Sequence, residues 1–415
     1  MKDQSTGGSM DETANMSLVG RFNYDYKARY LAEFIFRYDG SYRYNPDKRW
    51  GFFPGLSLGW RISEEDFVKK NVGFIDNLKL RASFGVTGQD AGDPFQYVEG
   101  YQTGSTYGYE FTDGMWTTMV SSPILVNRNL TWYTARTYDV GLDVELWNGL
   151  FGLEFDVYRR DRMGILATRN KSLPNTFGAT LPQENLNSDR VQGIDFKISH
   201  KNTIGAFYYA IDFNMNISQA MNLYVEQGEF QSSYQKWRYD KSYRNKNIIW
   251  GYDIIGRFES WEQIRNYPVY MDAEKGNSKQ LPGDPIYRDV NGDGIVNNND
   301  RVLLGHPQVP EINYGFGVTL AYKGFDLSIY FTGAANSTYF FYGSTVYPFQ
   351  WGQEGNIQRE FYEYRWRPGA DNSKAKYPRV SSSDNTNNNR LSTLYMRDNS
   401  YLRLKNAEIG YTFPQ

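Results

Sequence analysis

The spacing with the clearest chemical meaning in this 415-residue chain runs from Asp289 to Asp300. Asp289, Asn291, Asp293 and Gly294 stand at positions 1, 3, 5 and 6 of an EF-hand calcium loop, Ile295 offers its carbonyl at position 7, and Asp300 replaces the usual glutamate at position 12. Hard cations take oxygen ligands, and this spacing would gather them round one point, with Gly294 permitting the sharp turn. The shorter Asp300 makes two-oxygen ligation harder, and no flanking helix pair is written beside it. The competing reading is a polar Asn/Asp/Gly turn in a long loop. The expectation is weak Ca²⁺ binding that stiffens the loop, with no other cofactor. Gly55-Leu56-Ser57-Leu58-Gly59 fits the nucleophile pattern of hydrolases, but Trp60 and Ile62 continue a strand alternation where that elbow must feed a helix. No second group reads as its base, so an enzyme is not expected. Cysteine is absent, and His200 and His306 are the only histidines. Disulfide frameworks, thiolate sites and multi-histidine centres are thereby excluded.

Aromatic side chains form the second candidate set. They cluster at Tyr101, Tyr107, Tyr109, Phe111 and Trp116, at Trp237, Tyr239, Tyr243, Trp250 and Tyr252, and at Tyr339 to Tyr342 with Trp351. Sugar rings or peptide side chains could stack on them, and Tyr107, Tyr109, Trp116, Trp237 and Trp351 are the candidate ligand contacts. For most individual members, loop packing or an interfacial girdle is the alternative.

Strands must carry these loops. Aromatics make up 17% of the chain, with 35 tyrosines and 39 glycines, a mixture that favours strands and turns. A mean hydropathy of -0.65 leaves no room for a transmembrane helix, but a barrel strand hides its lipid face in alternation. The net charge of -2 implies no nucleic-acid partner. From Tyr138 to Tyr158 the alternation runs down one segment, turns at Asn148-Gly149 and returns. Counting outward sets Leu146 against Phe151, Val144 against Leu153, Leu142 against Phe155 and Val140 against Val157. The other face carries Asp139, Asp143, Glu145, Glu154 and Asp156, with Asp143 directly opposite Glu154, a like-charge pair needing water or a cation. A second hairpin turns at Lys323-Gly324. A third is expected near Asn202 to Gly205, matching Ile198 with Tyr209, Phe196 with Ile211 and Ile194 with Phe213. Further strands are expected at Ser17–Tyr26, Leu31–Tyr44, Gly51–Ile62, Leu78–Thr87 and Tyr401–Phe413, with a weaker one at Asn247–Phe258. Many are about ten residues long, enough to span a bilayer as a tilted strand.

The connections alternate. Short turns face long segments at Thr87–Trp132, Asp161–Asp189, Gln219–Glu311 and Ala334–Ser400, as in outer-membrane barrels with short periplasmic turns and long external loops. Ser63-Glu64-Glu65-Asp66 predicts a capping box opening a short helix to about Lys70. Met1 to Ala14 is polar and has no secretory signal; residues 1–16 read as a disordered or loop segment and 17–415 as barrel.

Motifs along nearly the whole chain resemble the SusC/RagA-like TonB-linked outer-membrane transporters. They are Arg49-Trp50-Gly51-Phe52-Phe53-Pro54, Leu58-Gly59-Trp60-Arg61-Ile62-Ser63-Glu64-Glu65, Leu80 to Gly88, Asn129-Leu130-Thr131-Trp132, Asp289 to Asp300, Lys376-Tyr377-Pro378-Arg379, and Tyr401 to Asn406 with Ile409-Gly410-Tyr411-Thr412. The resemblance implies an all-β fold, an antiparallel transmembrane β-barrel, in the cell outer membrane. It implies TonB-driven import of oligosaccharides or peptides, with a SusD-like surface lipoprotein as partner and lipid around the wall. Such a protein closes about 22 strands round a plug, whereas about a dozen candidates are found here, and the signal, the plug that meets TonB and the terminal strands are not seen. The expectation is therefore an internal piece of barrel, its signal lost by truncation. The alternative is a secreted calcium-stabilised β-sandwich that binds carbohydrate, its apolar faces packed on each other.

Overall fold

The computed structural model describes residues 10, 12–101, 103–120, 125–169, 181–272, 277–343, 346–350, 355–382 and 385–413, with side chains of 103–107 left aside. In chain order its strands are β1 (Asn15–Tyr26), β2 (Tyr30–Ser41), β3 (Trp50–Arg61), β4 (Ile75–Gln89), β5 (Thr103–Thr112), β6 (Met115–Val120), β7 (Tyr133–Leu146), β8 (Phe151–Thr168), β9 (Gln183–Ile204) and β10 (Phe207–Tyr224). There follow β11 (Trp250–Gly251), β12 (Ile254–Arg257), β13 (Pro285–Tyr287), β14 (Val302–Leu303), β15 (Ile312–Tyr322), β16 (Phe325–Ala335), β17 (Thr338–Phe340), β18 (Met396–Asp398) and β19 (Tyr401–Tyr411). Eleven of them form one antiparallel sheet in the order β1-β2-β3-β4-β7-β8-β9-β10-β15-β16-β19. No described helix is long and apolar enough to cross a membrane.

Two compact units divide the chain. The first comprises Met1–Lys246, Gly315–Tyr330 and Lys405–Gln415 and holds most of the sheet. The second comprises Asn247–Tyr314 and Phe331–Leu404. It has cores of its own: Tyr252, Phe258, Ile264, Met271, Ile286, Tyr287 and Val296 in one cluster, and Val346, Phe361, Tyr377 and Tyr395 in another. The weak strand expected over 247–258 appears there only as the short β11 and β12, each in a separate two-stranded pairing.

The hairpin at Asn148-Gly149 has the expected register, including Asp143 opposite Glu154. Asn148 (φ 57) and Gly149 (φ 75) adopt the left-handed conformation that a type I′ turn needs, and Leu150 N donates to Trp147 O at 3.3 Å. The turn between β15 and β16 lies at Lys323-Gly324 as expected, with both residues at positive φ. The third hairpin is corrected: the ladder continues through Asn202, and the turn falls at Gly205 (φ 61) and Ala206, pairing Ile198 with Phe213, Phe196 with Met215 and Ile194 with Ile217. The displacement is even, so each side chain keeps its expected face.

Two other expectations change. The helix α1 (Asp66–Asn71) begins after a 3₁₀ turn at Ile62–Glu64, and no side chain caps it. Ser63 is buried instead, and the Glu65 carboxylate accepts from Tyr30 Oη (2.7 Å) and Trp60 Nε1 (3.0 Å). The described residues of the segment Asp161–Asp189 are largely strand: β8 runs 18 residues and β9 runs 22, paired from Phe151 with His200 to Thr168 with Gln183. Arg162 faces Asp189 and Asp161 faces Arg190 across that ladder, so charge complementarity holds the register where apolar alternation has ended.

Candidate functional site

The inward face of β4, β7, β8 and β9 is a charged wall. Arg81 Nε donates to Asp143 at 2.9 Å and its Nη2 to Asp156 at 2.7 Å, with Asp139 at 3.9 Å. Lys79 lies 3.9 Å from Asp143, and Lys197 reaches Glu154 at 3.2 Å. The like-charge pair Asp143 and Glu154 is thus relieved by cations of the neighbouring strands. Gly141 makes room for this: a Cβ there would stand 2.2 Å from Asp156 Oδ1 and 2.7 Å from the Arg81 guanidinium carbon. A polar concavity of about 660 Å³ opens beside the network, lined by Lys79, Arg81, Asp143, Glu154, Lys197 and Asp212 among others. Arg81 was legible as inward-facing, but its partners lie on β7 and β8, beyond a connection running from Asp90 to Trp132, and no local pattern reports such a pairing.

The opposite face is apolar and uncovered. Leu80, Val140, Val157 and Ile194 are 41%, 53%, 47% and 38% exposed in neighbouring strands. A contiguous exposed apolar face of this kind marks contact with another apolar phase. The sandwich alternative, which needs this face packed against a second sheet, is overturned by that exposure. Aromatics flank the face at both ends. Tyr26 stacks on Tyr30 at 6.4 Å and Phe74 on Trp147 at 5.8 Å toward the short turns, while Tyr38 stacks on Trp50 at 4.9 Å toward the long connections. Girdles of this kind border the lipid-facing band of barrels.

In the loop at Asp289–Asp300 the carboxylates bind the loop itself. Asp289 accepts from Gly292 N and Gly294 N, both at 2.8 Å. Asp293 accepts from Ile295 N and Asn291 Nδ2, each at 2.9 Å, and the Asn291 bond above all holds its pKa below the ordinary aspartate value. Asp300, wholly buried, accepts from Val290 N (2.9 Å) and Asn297 N (2.7 Å), the latter closing a capping box with Asn297. Among the described residues no three Asp, Glu, His or Cys side chains converge as a metal cluster. The loop is anchored by Val296, whose N donates to Tyr270 O at 2.8 Å and whose side chain enters the first core cluster.

The aromatic candidates separate. Tyr109 (60% exposed) and Trp116 (54%) stand on the β5–β6 hairpin, where Trp116 pairs with Glu110. Tyr107 lies in the same strand backbone, and its side chain is outside the described residues. Trp237, on α2 (Ser233–Tyr239), is 62% exposed, and Trp351 lies outside the described residues. The structure therefore brings Tyr109 and Trp116 into one hairpin and Trp237 into another part of the first unit.

No family model matches the chain. It is 30% identical over 401 residues to the TonB-dependent receptor SusC of Bacteroides thetaiotaomicron, covering 96% of this chain and 38% of that protein. It is 28% identical over 417 residues to the TonB-dependent receptor P26 of Formosa agariphila, covering 96% and 39%. The chain is SusC/RagA-like. This SusC/RagA-like chain spans about two fifths of the length of the curated relatives it matches. Among solved structures it resembles that of the RagAB peptide transporter (TM-score 0.69, 17% identity, 99% of this chain and 43% of that one) and the RagAB peptide importer in its open-open state (0.71, 17%, 99% and 42%). At that identity the likeness speaks for the fold, an antiparallel barrel wall with short turns at one end and long loops at the other.

Proposed function

We propose that this chain supplies barrel wall to an outer-membrane importer of oligosaccharides or peptides, driven through TonB and working with a SusD-like surface lipoprotein. The two-faced sheet carries the reading: an apolar face left uncovered and a charged face relieved by its own cations suit a wall between lipid and a wet interior. The relatives named TonB-dependent receptor and the transporter named RagAB support import as the activity. Tyr109, Trp116 and Trp237, with Tyr107 and Trp351, are the proposed stacking contacts for the cargo. A strain lacking the complete protein should lose growth on one glycan or peptide source and regain it on complementation. A complete protein soluble without detergent would overturn the reading.

Calcium belongs to the same proposal. Asp289, Asn291, Asp293, Ile295 and Asp300 would take Ca²⁺ only by sharing carboxylate oxygens already bonded to loop amides, which implies weak binding. Calorimetric titration of the protein with calcium should give a millimolar dissociation constant, at the weak end known for such loops. Silence at those concentrations removes calcium and leaves the import reading intact.

A further inference from the structure

On the outward face of β7, β8 and β9 the apolar rows stop at Val140, Val157 and Ile194, which are cross-strand partners. The next outward row is Tyr138, Arg159 and Gln192, and the one after it is Arg136, Asp161 and Arg190. The register is unbroken from the apolar rows through these positions, so all of them share the apolar face. Asp161 is 8% exposed and clamped from both sides, by Arg159 Nη2 at 2.6 Å and by Arg190 Nε at 2.6 Å. One carboxylate cannot satisfy the ten N–H donors of two guanidinium groups. Arg136 is exposed in the same row and has no ion-pair partner among the described residues. Three arginines against one aspartate leave a net charge of +2 on this patch.

Its position matters as much as its sign. Two to four residues past the apolar rows is roughly 7 to 13 Å along a strand, less in height once tilt is allowed for, which is the level of the headgroup layer. The patch lies toward the long connections. At the short-turn boundary the outward positions include aromatics and no arginine in β7, β8 or β9: Tyr30 is paired to Trp60, Tyr209 to Asn202 and Phe151 to His200. Arginine recognises phosphate through paired, planar N–H bonds.

We infer that Arg136, Arg159 and Arg190 bind the phosphate groups of anionic lipid headgroups in the leaflet on the long-loop side. The inference rests on the membrane reading above and adds a headgroup chemistry to it. Asp161 tempers the patch by holding two of the three cations.

The test uses the complete protein in a zwitterionic detergent, titrated with diphosphorylated lipid A, with the same lipid dephosphorylated, and with inorganic phosphate. Bound lipid is counted by native mass spectrometry. The wild type should prefer the phosphorylated lipid by about tenfold, a difference of one well-made charged contact. Arg136→Gln, which leaves the Asp161 clamp intact, should lower that preference, and Arg136→Gln with Arg159→Gln should abolish it. Asp161→Asn should raise it, a gain that a purely structural clamp would not give. Equal binding of both lipids, or the same preference in every variant, overturns the inference. Displacement of the lipid by inorganic phosphate at equal concentration also overturns it, in favour of a free-anion site. Failure to enter bilayers of any composition would sink the membrane reading itself, whereas entry without phosphate preference sinks the headgroup inference alone.

Discussion

Arg81 gathers carboxylates from two strands, and Gly141 keeps the space in which it does so. Arg81→Gln should cost about 1.5 to 3 kcal/mol, the range for hydrogen bonds to charged groups, toward the lower end because its side chain is 29% exposed. Urea unfolding of the complete protein in vesicles would measure this, and Asp143→Asn with Asp156→Asn should recover part of the loss by removing the stranded charge. On the other face, Leu142→Arg should cost roughly 2 to 4 kcal/mol near the bilayer midplane. Leu142→Phe should be nearly silent in lipid, whereas a protein core would register overpacking of about 1 to 3 kcal/mol. The pair of substitutions at Leu142 thus reads the solvent of that face. A large cost for phenylalanine would argue against hydrocarbon there.

Among the elements, the hairpins at Asn148 and Lys323 were legible because their turn residues must take positive φ and the flanking alternation leaves one register. The third was misplaced because Asn202 looks like a turn residue, while the ladder carries it and leaves the bend to Gly205. The upper halves of β8 and β9 were illegible for a different reason. From Arg159 to Arg162 both faces are charged, and that run or Glu184 to Arg190 reads as loop until the partner strand is known. The calcium-like loop was placed correctly as a loop, but its carboxylates serve their own amides, which no spacing rule foretells. In the second unit, burial pushes the phenols of Tyr287, Tyr377 and Tyr395 above the ordinary tyrosine value. A group whose folded pKa is raised gives stability that is complete below its unfolded pKa and is lost as pH rises. The second unit should therefore weaken above about pH 10, where free tyrosine ionises. Tyrosinate absorbance should lag behind that of exposed tyrosines and then rise together with loss of the unit's tertiary signal. Early, non-cooperative ionisation of all tyrosines would contradict it.

For the whole molecule the relevant comparison is between strand length and apolar height. The apolar rows of β9 run from Ile198 to Ile194, yet the strand has 22 residues, roughly 70 Å at about 3.3 Å per residue. A hydrocarbon layer about 30 Å thick accounts for less than half of that. On intact cells a membrane-impermeant thiol reagent should label a cysteine placed at Glu184, Ser188 or Gln192 and spare one at Phe196, although all lie in the one strand β9. This chain contributes no cysteine of its own, and the protein without the introduced cysteine sets the background. Uniform labelling along β9, or none, would sink the assignment of its ends to different media. Because the overhang is ladder rather than loop, the outermost part of this strand should be both visible to antibodies or phage and slow to drift in shape, a rigid surface epitope rather than a variable one.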